Sequence, residues 1–350
     1  MPIADRVNSQ EEIQVARVEP DAAWDRYAEA NPGASLGHAR GWQSVFADAY
    51  GIDTHHFGAC DKTGRLRGIL ALARFRSLTG AQSWVSLPFL DSAGVLADGA
   101  DAETALLGAA RALGGPIELR QSAQLAALPL EASSRVELTL DLGGGAEARW
   151  RALPAKVRNQ TRKAWKEGLV VAPPDEDGIG DFHRVHCHGM RALGSPPHSE
   201  RFFRSVFEAF GERARFIVVR DGARAVGGLV AIEFAGLVTV PWASTLASDR
   251  ARCPNNLLYW EAIRWAEERG ARAFSFGRSP WGSGTHRFKR GWGAREAPLH
   301  WLQLDARGHA TVAGSGGESR LLHALSQVWK HLPPALCDVC GPHVRRRIAS

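Results

Sequence analysis

The sequence has no apolar run approaching the ~20 residues that a membrane-spanning helix needs. Met1 to Val15 carries Asp5, Glu11 and Glu12 and lacks the apolar stretch of a secretory signal. Cysteine is sparse: five, an odd number scattered along 350 residues, make no disulfide framework and fit a reducing compartment. The expected location is therefore cytoplasmic. His183, His186, Cys187, His188 and His198 lie in one region, but their spacing matches no zinc pattern and no acidic cluster joins them. Cys337-x-x-Cys340 lacks the second pair of a zinc site. No metal is expected. Tyrosine is scarce, 3 against 12 tryptophans. Stacking on a sugar or base is one use of so much indole; core packing is the commoner one. Charge is nearly balanced, 43 Lys and Arg against 37 Asp and Glu, a net +6. That permits RNA, anionic lipid carriers or phosphorylated sugars as partners and requires none of them.

What is present is an ordinary globular composition, 45% hydrophobic and 23% charged, in a chain long enough for about two domains. Helical spacing covers Asp21 to Ala30, Gly41 to Ala49 and Ala102 to Leu113. Thr54 to Ala59, a turn at Asp61-Lys62-Thr63-Gly64 and Ile69 to Leu72 predict a hairpin. Trp84 to Leu90, Ile117 to Arg120 and Val136 to Leu142 predict further strands, and Gly143-Gly144-Gly145 a boundary. The second half repeats the plan: Phe216 to Arg220, a turn at Asp221-Gly222, Leu229 to Ile232, then Leu237 to Ala243. A duplicated α/β unit explains the length better than one large fold. Between the halves, Arg158, Arg162 and Lys166 stand four apart and form one cationic stripe on a helix. That stripe is either a phosphate-contacting face, as for RNA or a lipid-linked substrate, or a solvated surface. Leu321 to Ile348 reads as a helical tail with a basic end, Arg345-Arg346-Arg347, which suits a membrane surface or nucleic acid, or simply solvent.

The most function-like stretch runs from Pro254 to Trp301. Asn255 or Asn256 is expected to cap a helix, with Leu258, Ala262, Trp265 and Ala266 on one face and Gly270 as its stop. Ala271 to Phe276 predicts a buried strand. A glycine-rich cationic loop is expected after it, Gly277 to Gly293, holding Arg278, Arg287, Lys289 and Arg290 beside Trp281 and Trp292. Small residues let the backbone approach a ligand, and the cations suit an anionic or carbonyl-bearing one.

From about Ala155 to Trp301 the sequence resembles the FemAB-like branch of the GNAT acyltransferase superfamily, especially the FemAB-like proteins associated with exosortase/PEP-CTERM systems. The likeness rests on Arg191-Ala192-Leu193-Gly194-Ser195-Pro196-Pro197-His198-Ser199, Val240-Pro241-Trp242-Ala243-Ser244, Cys253 to Ile263, Phe276-Gly277-Arg278-Ser279, and Phe288-Lys289 before Trp292-Gly293. Ser86-Leu87-Pro88-Phe89-Leu90-Asp91 extends it into the first half. The resemblance implies an α/β fold with mixed sheets: a GNAT-like domain over 1–145, a second over 146–310, and a helical tail over 311–350.

It also implies transfer of an acyl or aminoacyl group to an amine of a carrier-linked saccharide or peptide, in exopolysaccharide or cell-envelope synthesis. No tightly bound cofactor is implied. The donor would be aminoacyl-tRNA or acyl-CoA, with tRNA a possible partner and the inner membrane face a possible peripheral contact. The glycine loop of the coenzyme A users is replaced by Arg250-Ala251-Arg252-Cys253-Pro254-Asn255. Pro254 also removes a backbone donor that a pyrophosphate would need. Lys289 matches a family lysine that steadies charge on the donor or oxyanion, and Asp91 is the expected base or amine orienter. Arg278, Ser279, Arg287, Trp242, Asn255 and His198 are expected to bind substrate. A Trp-bearing binding module without catalysis is the competing use of the same fold.

Overall fold

The structure, a computed structural model, describes residues 12–76, 80–173, 177–313 and 320–348. Residues 1–11, which bear most of the expectation of a signal-free start, lie outside the described residues. The chain forms two mixed sheets. One runs Gln14–Val18, Thr54–Cys60, Leu66–Arg76, Gln82–Val85, Ile117–Gln121, His300–Leu304 and Ala310–Val312, with Leu96–Ala97 paired to Leu66–Arg76. The other runs Arg295–Pro298, Arg135–Asp141, Ala273–Pro280, Leu237–Thr245, Arg224–Phe234, Ala214–Asp221 and Val170–Val171. Each holds one of the two expected hairpins.

The sheets trade strands across the division expected at residue 145. Arg135–Asp141, from the first half, sits in the second sheet between Arg295–Pro298 and Ala273–Pro280. His300–Leu304, from the second half, pairs with Ile117–Gln121 in the first sheet. A single aromatic-rich core joins the halves: Trp42, Phe46 and Phe89 share it with Phe182, Phe202, Phe203 and Trp242. Among the described residues, further cores lie under the helix Ala100–Ala112 and under the helix Pro254–Glu268, with a small one of Leu299, Trp301 and Ala313. The tail helices Arg320–His331 and Pro334–Arg345 pack on Asp177–Leu193.

Three local expectations change. The strand expected over Trp84 to Leu90 ends at Val85, because Leu87 and Phe89 take left-handed conformations that no strand holds. The helix Pro254–Glu268 is preceded by Cys253 in the left-handed conformation, and proline occupies its first turn, so neither Asn255 nor Asn256 is the cap. The fixed φ of Pro254 already matches a first helical position. Gly270 ends that helix at φ 70 as expected. The stretch from Gly277 is only partly a loop. The strand continues to Pro280 because Arg278, Ser279 and Pro280 pair with Glu137, Val136 and Arg135. A short helix, Gly284–Arg290, follows, capped by Ser283 accepting from the His286 amide at 3.1 Å.

Candidate active site

The two central strands of the second sheet open into a fork. Leu237–Thr245 and Ala273–Pro280 run parallel but pair only at Leu237, Val238 and Thr239 with Ala273, Phe274 and Ser275. The sequence gives two reasons for the parting. Pro241 has no amide hydrogen to continue the ladder. Gly277, at φ 71, sits where the register with Arg135–Asp141 also shifts, between Ser275 and Arg278. A bulge at a left-handed glycine turns the strand away.

Asp91 and Lys289 meet at this fork. The segment delivering Asp91 leaves its strand through Leu87 at φ 35 and Phe89 at φ 68, conformations unusual for such side chains. The Asp91 carboxylate accepts from the Arg278 amide at 2.8 Å and from Arg278 Nε at 2.7 Å. Lys289, on the short helix, donates to the carbonyls of Gly277 at 3.1 Å and Arg278 at 2.7 Å. A methyl group on Gly277 would stand 2.9 Å from Asp91 Oδ2 and 4.0 Å from Lys289 Nζ. Both side chains therefore crowd one backbone position. Lys289 is only 8% exposed, and that burial lowers its pKa to about 8. Asp91 pulls it partly back up and Arg278 pushes it further down.

Glu137 completes the cluster. It stands opposite Arg278 in the ladder, and its carboxylate accepts from Ser275 Oγ at 2.6 Å. Burial raises its pKa, partly offset by the Ser275 hydrogen bond, while Asp91 raises it and Lys289 lowers it. Glu137 and Asp91 both line a cavity of about 180 Å³ whose wall includes Ser35, Ser92, Thr239 and Pro241. Beside it, Trp301 donates from Nε1 to the Asp91 carbonyl at 2.9 Å. The guanidiniums of Arg120, Arg135 and Arg278 lie 4.4, 4.5 and 5.0 Å from its ring centre.

The other expected site residues are dispersed. Ser279 follows Arg278 but is buried, and its hydroxyl makes no hydrogen bond among the described residues. Arg287 is exposed and donates to the Gly282 carbonyl. Trp242 and His198 belong to the aromatic core between the halves, their rings 5.7 Å apart. His198 Nδ1 and the Tyr50 hydroxyl share a hydrogen bond at 2.8 Å, and burial holds the His198 pKa well below the usual histidine value. They line no part of the cavity because an aromatic side chain in that core gains more from packing than from exposure.

Asn255 lies in the first helical turn, half-buried, while its neighbour Asn256 donates to Gln160 at 3.4 Å. In the cationic stripe, Arg158 turns back onto the carbonyls of Arg151 and Leu153, Arg162 lies over Trp150, and Lys166 stays exposed. Of the two loop tryptophans, Trp292 is buried and only Trp281 offers a ring to solvent. Lys289 does not pair with Glu296; His286 does, at 2.7 Å.

Sequence reasoning missed Glu137, Trp301, Arg120 and Arg135; of the three arginines around Trp301 it picked out Arg278 alone. Glu137 falls in Val-Glu-Leu-Thr-Leu, an alternation that reads as a strand with one solvated face. No local signal shows that a bulged strand covers that face.

Residues 152–290 match the family model described as an acetyltransferase (GNAT) domain. On that match the chain is an acyltransferase. Among solved structures the fold is similar to FemX, at 12% identity and a TM-score of 0.64, over 81% of this chain and 95% of that one. It is also similar to a tandem GNAT protein from the clavulanic acid biosynthesis pathway, at 12% identity and a TM-score of 0.52, over 84% and 99%. L-PGS from Bacillus licheniformis aligns at 11% identity and a TM-score of 0.50, over 90% and 98%. No curated protein sequence matches the chain. These neighbours establish the fold, two GNAT-like units in tandem. Among the described residues, no helix is long and apolar enough to cross a membrane, and no group of His, Cys, Asp and Glu could hold a metal ion.

Proposed function

We propose that the chain is a FemAB-like transferase that moves an acyl or aminoacyl group onto an amine of a carrier-linked saccharide or peptide. Its setting would be exopolysaccharide or cell-envelope synthesis, in the cytoplasm or at the inner membrane face. The observation that carries this reading is Lys289 on the two carbonyls of the fork, beside Asp91 and Glu137. The acceptor amine attacks the carbonyl carbon of the donor ester or thioester, forming the C–N bond and then breaking the C–O or C–S bond. An ammonium has three donors. Two are used on the Gly277 and Arg278 carbonyls, leaving one for the developing oxyanion. Glu137, with its raised pKa and its place on the cavity wall, takes the proton from the attacking amine and returns it to the departing oxygen or sulfur, which leaves as the alcohol or thiol. Asp91 has both oxygens engaged by Arg278, so it orients the fork rather than accepting that proton.

The helix start favours aminoacyl-tRNA over acyl-CoA as donor. Asp249, held down to about 2 by Arg224 in particular, places a carboxylate just before Pro254–Glu268. Arg224 and Arg252 are already bound to Asp249 and Asp221, so neither is spare for a pyrophosphate. FemX and L-PGS share the fold, and a carrier-linked acceptor rests on the same likeness. The test incubates the purified chain with isotopically labelled aminoacyl-tRNA or acetyl-CoA and an extract of carrier-linked saccharides, followed by mass spectrometry. A labelled amide formed only from charged tRNA is expected. A product only from acetyl-CoA transfers the role to the second donor, and no labelled amide with either donor overturns the reading.

A further inference from the structure

Away from the fork, a second cavity of about 350 Å³ opens between the first sheet and the end of the tail, lined by Arg74, Arg76, Arg346, Arg347, Asp53 and Tyr50 among others. Its size falls within the range of small-molecule sites. Two of the arginines come from Leu66–Arg76 and two from the turn that ends the last helix, with Arg347 standing 271 residues after Arg76. Arg347 donates to the Arg76 carbonyl at 3.5 Å, which ties the two groups together. Four guanidiniums face one carboxylate. Asp53 pairs with Arg74 at 3.2 Å and also serves His55 and Arg17. Among the described residues no carboxylate pairs with Arg76, Arg346 or Arg347. Gathering cations this way is unfavourable unless an anion joins them.

We propose that this cavity binds a phosphate or pyrophosphate group of a ligand. Guanidinium forks match phosphate oxygens two at a time, which a lone lysine cannot do. The cavity also communicates with the interior. Tyr50, on its wall, shares a hydrogen bond with the buried His198, and Arg345, next to Arg346, lies 4.9 Å over the Phe89 ring, two residues from Asp91. A phosphorylated ligand held here would fix the end of the tail against the segment that delivers Asp91. The site stands independently of the transferase reading, because its occupancy is measured without turnover.

The test is calorimetry of the full chain with inorganic pyrophosphate at low and moderate salt. Saturable binding that weakens with salt is expected, with affinity at least tenfold lower in the Arg346→Ala/Arg347→Ala double variant and in Arg76→Ala, and unchanged in Lys289→Met. Thermal melts confirm that the variants fold, and Arg346→Lys/Arg347→Lys, which keeps the charge but not the fork, should bind with intermediate affinity. Sedimentation with phosphatidylglycerol vesicles distinguishes the source. Vesicle binding reversed by pyrophosphate assigns a lipid-borne phosphate to the same cavity, and pyrophosphate binding without vesicle binding assigns a soluble one. No saturable binding of pyrophosphate, or equal binding by the arginine variants, overturns the proposal.

Discussion

Lys289 is the side chain whose environment says most about its work. An ammonium 8% exposed, with a pKa near 8 against 10.5 in a free lysine, is held in its charged form at a cost of about 3 kcal/mol. The unfolded chain binds more protons than the folded one between pH 8 and pH 10.5, so stability due to this group rises across that window and is lowest below it. Lys289→Met should therefore gain on the wild type at pH 7 and lose that advantage, by about 3 kcal/mol, as pH approaches 10.5. Urea unfolding of both chains across pH 7 to 10 reads the difference. The carbonyls of Gly277 and Arg278 left without a donor add a pH-independent penalty, so the slope is diagnostic and the sign at one pH is not. In the proposed reaction the charged form is the useful one. Lys289→Ala should lower kcat by roughly 10²–10³, as for loss of one oxyanion donor. Wild-type activity should fall as pH rises above about 8, a limb absent from the residual activity of the variant. Glu137→Gln should cost roughly 10²–10⁴ in kcat and remove the acid limb, since its carboxylate must be ionised to accept a proton.

The fork between Leu237–Thr245 and Ala273–Pro280 depends on Gly277 as much as on any charged group. Its φ of 71 and the 2.9 Å from a built methyl group to Asp91 Oδ2 leave no room for alanine. Gly277→Ala should destabilise the chain by about 1–3 kcal/mol and depress kcat more than KM, because the strain falls where Asp91 and Arg278 meet. Equilibrium unfolding and steady-state kinetics on the same preparation check both parts. Such pieces differ in how far their residues announce them. Leu258, Ala262 and Trp265 declared their helix by spacing, and both hairpins were visible in alternation around Asp61–Gly64 and Asp221-Gly222. Lys289 and Asp91 were candidates from motifs, and the structure brings them together across 198 residues of chain. Glu137 and Trp301 were not among the candidates. Their places beside that pair come from strands that cross between sheets, and local periodicity is blind to which distant strand lies alongside. The same blindness made a loop of Gly277 to Gly293: pairing with Arg135–Asp141, not local preference, carries that strand through Pro280.

The crossed strands also decide how the molecule holds together. The second sheet without Arg135–Asp141 would lose the strand that separates Ala273–Pro280 from Arg295–Pro298, together with buried Val136, Leu138 and Leu140. The first sheet without His300–Leu304 would leave Ile117–Gln121 with an open edge and expose Leu119 and Ile117. The aromatic core would be split as well, parting Trp42 and Phe89 from Phe202 and Trp242. Each loss removes several large side chains from the interior, at roughly 2–5 kcal/mol apiece, which exceeds the stability of most domains. Fragments 1–145 and 146–350, made separately, should therefore show no cooperative melt by circular dichroism. Refolded together from denaturant in equal amounts, they should recover near-ultraviolet ellipticity that neither has alone, because all the strand partners are then present and only one covalent bond is missing. A cooperative melt from either fragment by itself would mean that the exchange of strands is dispensable and that each half holds a sufficient core of its own.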